Sequence, residues 1–408
     1  MIKKYYLRIE LLHINMNLFN TNKENKTDLT KNNIIKFYIA NGNSTIYDLS
    51  QELNLSVPTT TKLVNEMCAE GYVREYGKLE TSEGRHPNLY GVNPDSGYFV
   101  GVDISHSVVN LGLMDFKGDL VDLQMNVPCC FENTPEALDG LCRVVNEFIE
   151  QLSIDKQKIL NVHFNIPGRV NPQTGYSYSV FNFSETPLTK VLSDKVGYPV
   201  NIDNDSRAMA YGEFMKGCVK GEKNVLFLNV SWGLGMGIVI NGRLYNGKSG
   251  YAGEFGHVHL FENEVLCHCG KKGCLETEAS ASAFYRIVTE RLKNGESSLL
   301  QDKSFTIDDV IDAINSEDVL CIDVVEEIGY KLGEALSALI NIFNPELVVI
   351  GGSMALTGDY LLQPIKTAIR KYSLNLLIRD TCICLSKLKD KAGVIGACML
   401  GRNRLFDK

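Results

Sequence analysis

Three thiols and an imidazole stand out first. Cys267, Cys269 and Cys274 sit in a Cys-His-Cys-Gly-Lys-Lys-Gly-Cys run, and His257 lies upstream in Gly-Glu-Phe-Gly-His-Val-His. Thiolate and imidazole are the ligands of a closed tetrahedral zinc site, so the stretch predicts a structural Zn2+ knuckle. Gly270 and Gly273 let the turn between Cys269 and Cys274 fold back on one ion, because glycine reaches φ > 0 without a Cβ clash. The competing reading is three reduced cysteines packed as small apolar groups. A fourth ligand type beside glycine-punctuated spacing favours the metal. His268, between two of the cysteines, and His259, two residues past His257, could each supply the nitrogen on spacing alone.

Carboxylates gather around the same stretch. Glu254 precedes His257 and Glu276 follows Cys274, while Asn204 and Asp205 follow the strand-like run 200–202 and Pro167-Gly168-Arg169 follows the strand 162–166. Paired carboxylates with an Asn-Asp step suit a polyhydroxylated ligand, offering acceptors for adjacent hydroxyls and a base for one of them. Zinc would then brace His257 so that Glu254 and Glu276 face the ligand. Taken singly, each carboxylate reads as an ordinary solvated side chain; their clustering points to a site.

Such a cleft needs a large scaffold. A chain of 408 residues suggests two or three domains. With 44% hydrophobic and 22% charged residues it has the composition of a globular protein, and no apolar run approaches a membrane span. Residues 1–17 mix Lys, Arg and Glu among apolar positions and make a poor signal peptide, with Met16 an alternative start. The twelve cysteines are therefore expected mostly as reduced thiols, and the chain as cytoplasmic. A net charge of −8 gives no sign of a general polyanion binder, so nucleic-acid contact would need a local module.

Residues 1–30 are expected to be flexible. A helix over 31–39 carries Ile34, Ile35, Tyr38 and Ile39 on one face, a second runs from the Ser44 or Thr45 cap to Leu53, and a third, capped by Ser56, runs 57–70 to Gly71. The third keeps Val57, Val64 and Met67 for packing and leaves Thr59, Thr61, Lys62 and Asn65 for phosphates and base edges. Strands at 72–76 and 89–92 around a tip holding Lys78, Arg85 and His86 complete a winged helix-turn-helix over 31–93. Residues 31–90 carry six Lys/Arg against seven Asp/Glu, less basic than a strong DNA binder usually is. Past Asn93-Pro94 the rhythm changes. Strand runs at 98–104, 108–115 and 120–127 precede a helix at 135–152, and the plan recurs at 224–230, 236–240 and 243–245 with an Asn241-Gly242 hairpin. Long helices follow at 281–294 and 321–343, then a strand at 347–350. This duplicated α/β plan predicts two lobes, 94–215 and 216–408, with a cleft between them.

The run Gly233-Leu-Gly235-Met-Gly237, then Gly247, Gly253-Glu-Phe-Gly256-His257 and the cysteine knuckle, resembles the ROK family of sugar kinases and sugar-responsive repressors. The resemblance spans about residues 31–400 and implies a pair of actin-like, ribonuclease-H-like α/β lobes. It implies that Asn204, Asp205, Glu254, His257 and Glu276 contact a sugar, with Gly168 in a bordering loop, and that His257 is the fourth zinc ligand. In family kinases the residue matching Asp205 is the base that deprotonates the acceptor hydroxyl. Their first phosphate loop reads Asp-Ile-Gly-Gly-Thr-Lys, whereas this chain has Asp103-Ile104-Ser105-His106-Ser107-Val108. Their second reads Gly-Thr-Gly, against Ser231-Trp232-Gly233 here. The backbone cradle for ATP phosphates is thereby replaced, and the only tryptophan stands where phosphate would sit. The winged helix with Gly84-Arg85-His86-Pro87-Asn88-Leu89 resembles the repressor branch, of the N-acetylglucosamine and xylose repressor type. The expectation is a transcriptional regulator that binds operator DNA and a sugar or sugar phosphate, as a homodimer or homotetramer, with a protein partner as a further possible regulator. The alternative is an ATP-dependent glucokinase or N-acetylhexosamine kinase with Asp205 as base.

Overall fold

Ile34, Ile35 and Tyr38 recur at helical spacing and are buried along helix α1 (Lys26–Asn41). The computed structural model describes residues 26–80, 86–301 and 304–406. Helix α1 begins inside the segment expected to be flexible. Its buried Lys31 is held at 3.3 Å from Glu66 and 2.6 Å from Glu70, which ties these early turns to a later helix. Strand β1 (Ser44–Thr45) leads into α2 (Ile46–Glu52), capped by the Thr45 side chain. Ser56 accepts from Thr59 N to cap α3 (Val57–Ala69), and Gly71 at φ +82° turns the chain out. Strands β2 (Val73–Lys78) and β3 (Asn88–Val92) pair as the wing, and β1 adds to β3 for a sheet ordered β1-β3-β2.

Helix α3 buries Thr60, Leu63, Val64 and Met67. Val57, expected inward, is instead 44% exposed: it is the first helical residue and falls outside that buried stripe. Thr59, Lys62 and Asn65 are exposed and Thr61 is half-buried, on the face away from the core. Arg85 lies outside the described residues.

Two sheets then follow one plan. In the first, β4 (Tyr98–Ile104), β5 (Val108–Asp115) and β6 (Leu120–Pro128) form an antiparallel meander, α4 (Pro135–Gln151) crosses over, and β7 (Ile159–Ile166) joins β4 in parallel. A small hairpin of β8 (Val170–Asn171) and β9 (Tyr176–Ser177) precedes α5 (Leu188–Val196), and β10 (Val200–Asn204) completes the order β10-β7-β4-β5-β6. Helix α6 (Asp205–Lys216) leads to the second sheet. There β11 (Val225–Val230), β12 (Leu234–Ile240) and β13 (Arg243–Leu244) repeat the meander, with Asn241 and Gly242 at φ +51° and +74° in the hairpin turn. After α7 (Ala281–Lys293), α8 (Ile307–Asn315) and the long α9 (Val319–Phe343), strand β14 (Leu347–Gly351) pairs with β11 in parallel. Helices α10 (Asp359–Tyr372) and α11 (Asn375–Asp380) lead to β15 (Cys382–Leu385), which gives β13-β12-β11-β14-β15.

The final helix, α12 (Ala392–Asn403), departs from the expectation that residues 216–408 form one lobe. It packs on the first sheet, where a Cβ at Gly101 would stand 2.7 Å from Val394 O and from Cys398 Sγ. It also crosses α6 at bare glycines: a Cβ on Gly396 would lie 1.8 Å from Ala208 O. Helix α6 in turn abuts the second sheet, since a Cβ on Gly237 would meet that of Ala210 at 2.2 Å. The pair α6 and α12 therefore forms the layer between the sheets. Beyond α12, Leu405 joins the winged-helix core together with Phe99, Phe116 and Leu160, and Lys36 Nζ donates to Phe406 O at 3.2 Å. The winged helix is thus seated on the first lobe and on residues 405 and 406.

Candidate functional site

Asn204 ends β10 and caps α6, its Oδ1 accepting from Arg207 N at 3.0 Å, so Asp205 opens the helix where the dipole favours an anion. Asn204 Nδ2 donates to Gly168 O at 2.9 Å and to Asp205 Oδ1 at 2.8 Å. Gly168 holds its turn at φ +80°. Burial pushes the Asp205 carboxyl up to about 6; the Ser206 donors and the Arg207 charge oppose that shift, and the nearby Glu254 carboxylate adds to it. Such a group is mostly ionised at neutral pH and can accept a hydrogen bond from a ligand hydroxyl.

Behind it, Arg207 is buried against Asp203 at 2.6 Å. Its guanidinium donates to Val170 O of the first lobe and to Gly250 O of the second, clamping both walls of the cleft. Glu254 and His257 flank a short turn, Phe255–His257, with Glu254 Oε2 3.7 Å from His257 Nε2. The other imidazole nitrogen, Nδ1, lies 3.6 Å from Cys267 Sγ. Glu276 is more enclosed than the sequence suggests, at 7% exposure. Its Oε2 accepts from Leu234 N at 2.9 Å and its Oε1 stands 2.9 Å from His268 Nδ1, so it ties the start of β12 to the knuckle.

The ligand atoms of His257, Cys267, Cys269 and Cys274 all lie within 4.8 Å of one another. Cys269 Sγ and Cys274 Sγ are 3.6 Å apart. A tetrahedral zinc with metal–sulfur bonds of ~2.3 Å has edges of about 3.7 Å, so the four residues fit the ion. Gly273 is needed here, at φ +76° and with its Cβ direction blocked 2.4 Å away by Phe261 O. A second ligand group, His257, His268 and Glu276, adjoins it, whereas His259 belongs to neither group.

The opposite end of the cleft is filled by aromatic rings. His106, at the β4–β5 turn of the first lobe, stacks on Trp232 of the second with centroids 4.7 Å apart and planes 19° from parallel. Trp232 is 47% exposed, and Tyr285 stands 6.2 Å beyond it. The loop that carries Trp232 is anchored beside Asp205: Ser231 Oγ donates to Asn229 Oδ1 at 2.7 Å, and Asn229 Nδ2 to Ser206 Oγ at 3.0 Å. Sequence reasoning picked out Trp232 and the changed turn separately; nothing in the sequence signalled that they meet. Asp103, whose turn this is, is buried with Asn165 Nδ2 at 2.8 Å, and burial pushes its carboxyl up to about 7.

Comparison with known proteins adds the wider context. The ROK family matches residues 99–404, and a winged helix-turn-helix DNA-binding family matches residues 27–74. A xylose repressor of Caldicellulosiruptor bescii is 29% identical over 358 residues, covering 85% of this chain and 89% of that protein. A glucokinase of Halalkalibacterium halodurans is 34% identical over 314 residues, covering 73% of this chain and 93% of the kinase. Among solved structures, a ROK family transcriptional regulator described as a homologue of the Escherichia coli MLC protein superposes with a TM-score of 0.79 at 27% identity, over 93% of this chain and 97% of that one.

Proposed function

The chain belongs to the ROK family, and on that premise we propose that it is a sugar-responsive, DNA-binding transcriptional repressor of carbohydrate-utilisation genes. The observation that carries this reading is the union in one chain of a winged helix, its α3 face of Thr59, Thr61, Lys62 and Asn65 turned outward, with a sugar-kinase body. The repressor relatives and the solved ROK regulator support it.

The sugar or sugar phosphate lies between the lobes against Gly168, Asn204, Asp205, Glu254, His257 and Glu276. His257, Cys267, Cys269 and Cys274 would hold a Zn2+ ion, which would brace the knuckle. His257 has Nδ1 toward Cys267 and Nε2 toward Glu254, so it could serve the metal site and the ligand together. Ligand binding favours one interlobe angle. Helix α12 carries that angle onward, since its first turn rests on Asp103 through Gly393 and the chain beyond its last turn joins the winged-helix core. Sugar and operator affinities are then linked reciprocally. A homodimer or homotetramer would set two α3 helices in successive major grooves. The cytoplasm suits such a regulator, and among the described residues no helix is long and apolar enough to cross a membrane.

One observation favours a second reading. Asp205 matches the base of family kinases in sequence, burial raises its carboxyl to about 6, and a glucokinase is among the relatives. The His106–Trp232 stack, on the side where family kinases hold ATP, argues for the regulator. A gel-shift titration of operator DNA at low salt, with and without xylose, glucose and N-acetylglucosamine, tests the choice. The regulator reading expects a shifted band that responds to one sugar. ADP release on those sugars, abolished by Asp205→Asn, would replace it with the kinase.

A further inference from the structure

The polar cleft just described has an aromatic rim that none of its assigned contacts uses. Tyr178, just after β9 in the first lobe, meets Tyr251 of the second with ring centroids 5.9 Å apart and planes 85° apart. Both are open to solvent, at 49% and 37%. Tyr176 stands 6.4 Å from Tyr178 and is itself fixed by its hydroxyl on Glu185 O at 2.9 Å. These rings adjoin the sugar site through the backbone. Tyr178 N donates to Arg169 O at 2.9 Å, and Arg169 follows Gly168, whose carbonyl accepts from Asn204. Tyr251 lies on the loop between Gly250, which is bound by Arg207, and Glu254.

Exposed, positioned aromatic rings beside a polar pocket mark a binding surface rather than a core. The inner groups satisfy the hydroxyls of one pyranose. A ring face offers what a second pyranose needs, an apolar plane for its C–H face with a phenol at the edge for hydroxyls. A phosphate would want several cations, whereas the groups that meet here are the Tyr178 and Tyr251 rings, with Arg169 close to Tyr251. Equatorial linkages keep two pyranoses extended, which carries the second ring outward along the rim. We propose that Tyr178 and Tyr251 form an outer subsite for the second ring of an equatorially linked disaccharide, making such a disaccharide, not a lone monosaccharide, the preferred effector.

The inference rests on the sugar-site reading above, and calorimetric titration of the full chain separates the two. The probes are xylose against xylobiose, glucose against cellobiose, and the matching 6-phosphates of the hexoses. The expected result is one disaccharide binding about tenfold or more tighter than its monosaccharide. Tyr178→Ala and Tyr251→Ala should bring it to the monosaccharide's affinity, while Tyr178→Phe retains the preference. Thermal melting controls for folding of each variant, which the exposure of both rings favours. Equal affinities for the two sizes, or a preference that survives both alanine variants, overturns the outer subsite alone. Tighter binding of a 6-phosphate, lost in Arg169→Ala, replaces it with a phosphate site. No heat with any of these sugars overturns the sugar-site reading beneath it.

Discussion

At the residue scale, burial shifts two titratable groups in opposite directions, and both shifts cost the protein on acidification. Asp205 has its folded pKa raised to about 6, chiefly by burial. If its carboxylate accepts a sugar hydroxyl, affinity is flat above about pH 7 and falls by up to tenfold per unit below about pH 6, as a one-proton linkage requires. Calorimetry across that range should show the fall, and Asp205→Asn should remove both the affinity and its pH dependence. His163, on β7, is wholly buried with neither ring nitrogen hydrogen-bonded, and burial lowers its pKa to about 4, with Asp203 opposing and Arg404 adding to the effect. The unfolded imidazole titrates near 6.5, so the folded state loses stability as pH falls from about 6.5 to about 4, and no further below that. At pH 5 the loss is on the order of 2 kcal/mol. His163→Leu should therefore be near neutral at pH 8 and stabilising at pH 5 by denaturant melting. The sequence marked Asp205 through its Asn-Asp step. His163 sits unremarked inside an apolar strand, because nothing local reveals that no partner reaches it.

At the element scale, the knuckle and α3 make separable predictions. Cys274→Ser or Cys267→Ser should lower zinc from about one ion per chain to none by metal analysis, and should lower the melting temperature. Chelation of the parent chain should do the same; a freshly purified parent without metal would contradict the assignment. On α3, Lys62 has a side chain 77% exposed and only a 4.0 Å approach to Glu66, so it is available to a phosphate. Lys62→Ala should weaken operator binding evenly across sequences and reduce the salt slope by about one. Asn65→Ala should instead relax discrimination at one base position. Periodicity and caps made most elements readable here: Thr45, Ser56, Gly71 and Asn241-Gly242 all act as their types suggest. Strand β1 was not readable, because two residues carry no period. Helix α12 is rich in glycine and alanine, which gave no amphipathic stripe to assign it to a lobe. Its buried face is set by contacts with α6 and β4, distant in sequence.

At the scale of the whole molecule, the two lobes, the winged helix and the chain's end share one continuous path. The clustering of His257 with the three cysteines and the winged helix could be read from local spacing, whereas the pairings across the cleft could not. Tyr178 with Tyr251, and His106 with Trp232, exist only once the two lobes face each other. The second of those pairs has a practical consequence. Trp232 is the only indole in the chain, so every photon of tryptophan emission originates at the seam between the lobes. Opening the seam would strip His106 from the indole and expose it to water, which should shift the emission to longer wavelength. Such a shift would report the proposed interlobe movement. Any sugar that alters operator binding should move that signal along the same titration curve, and His106→Ala should bring the emission to the longer wavelength whether or not sugar is present.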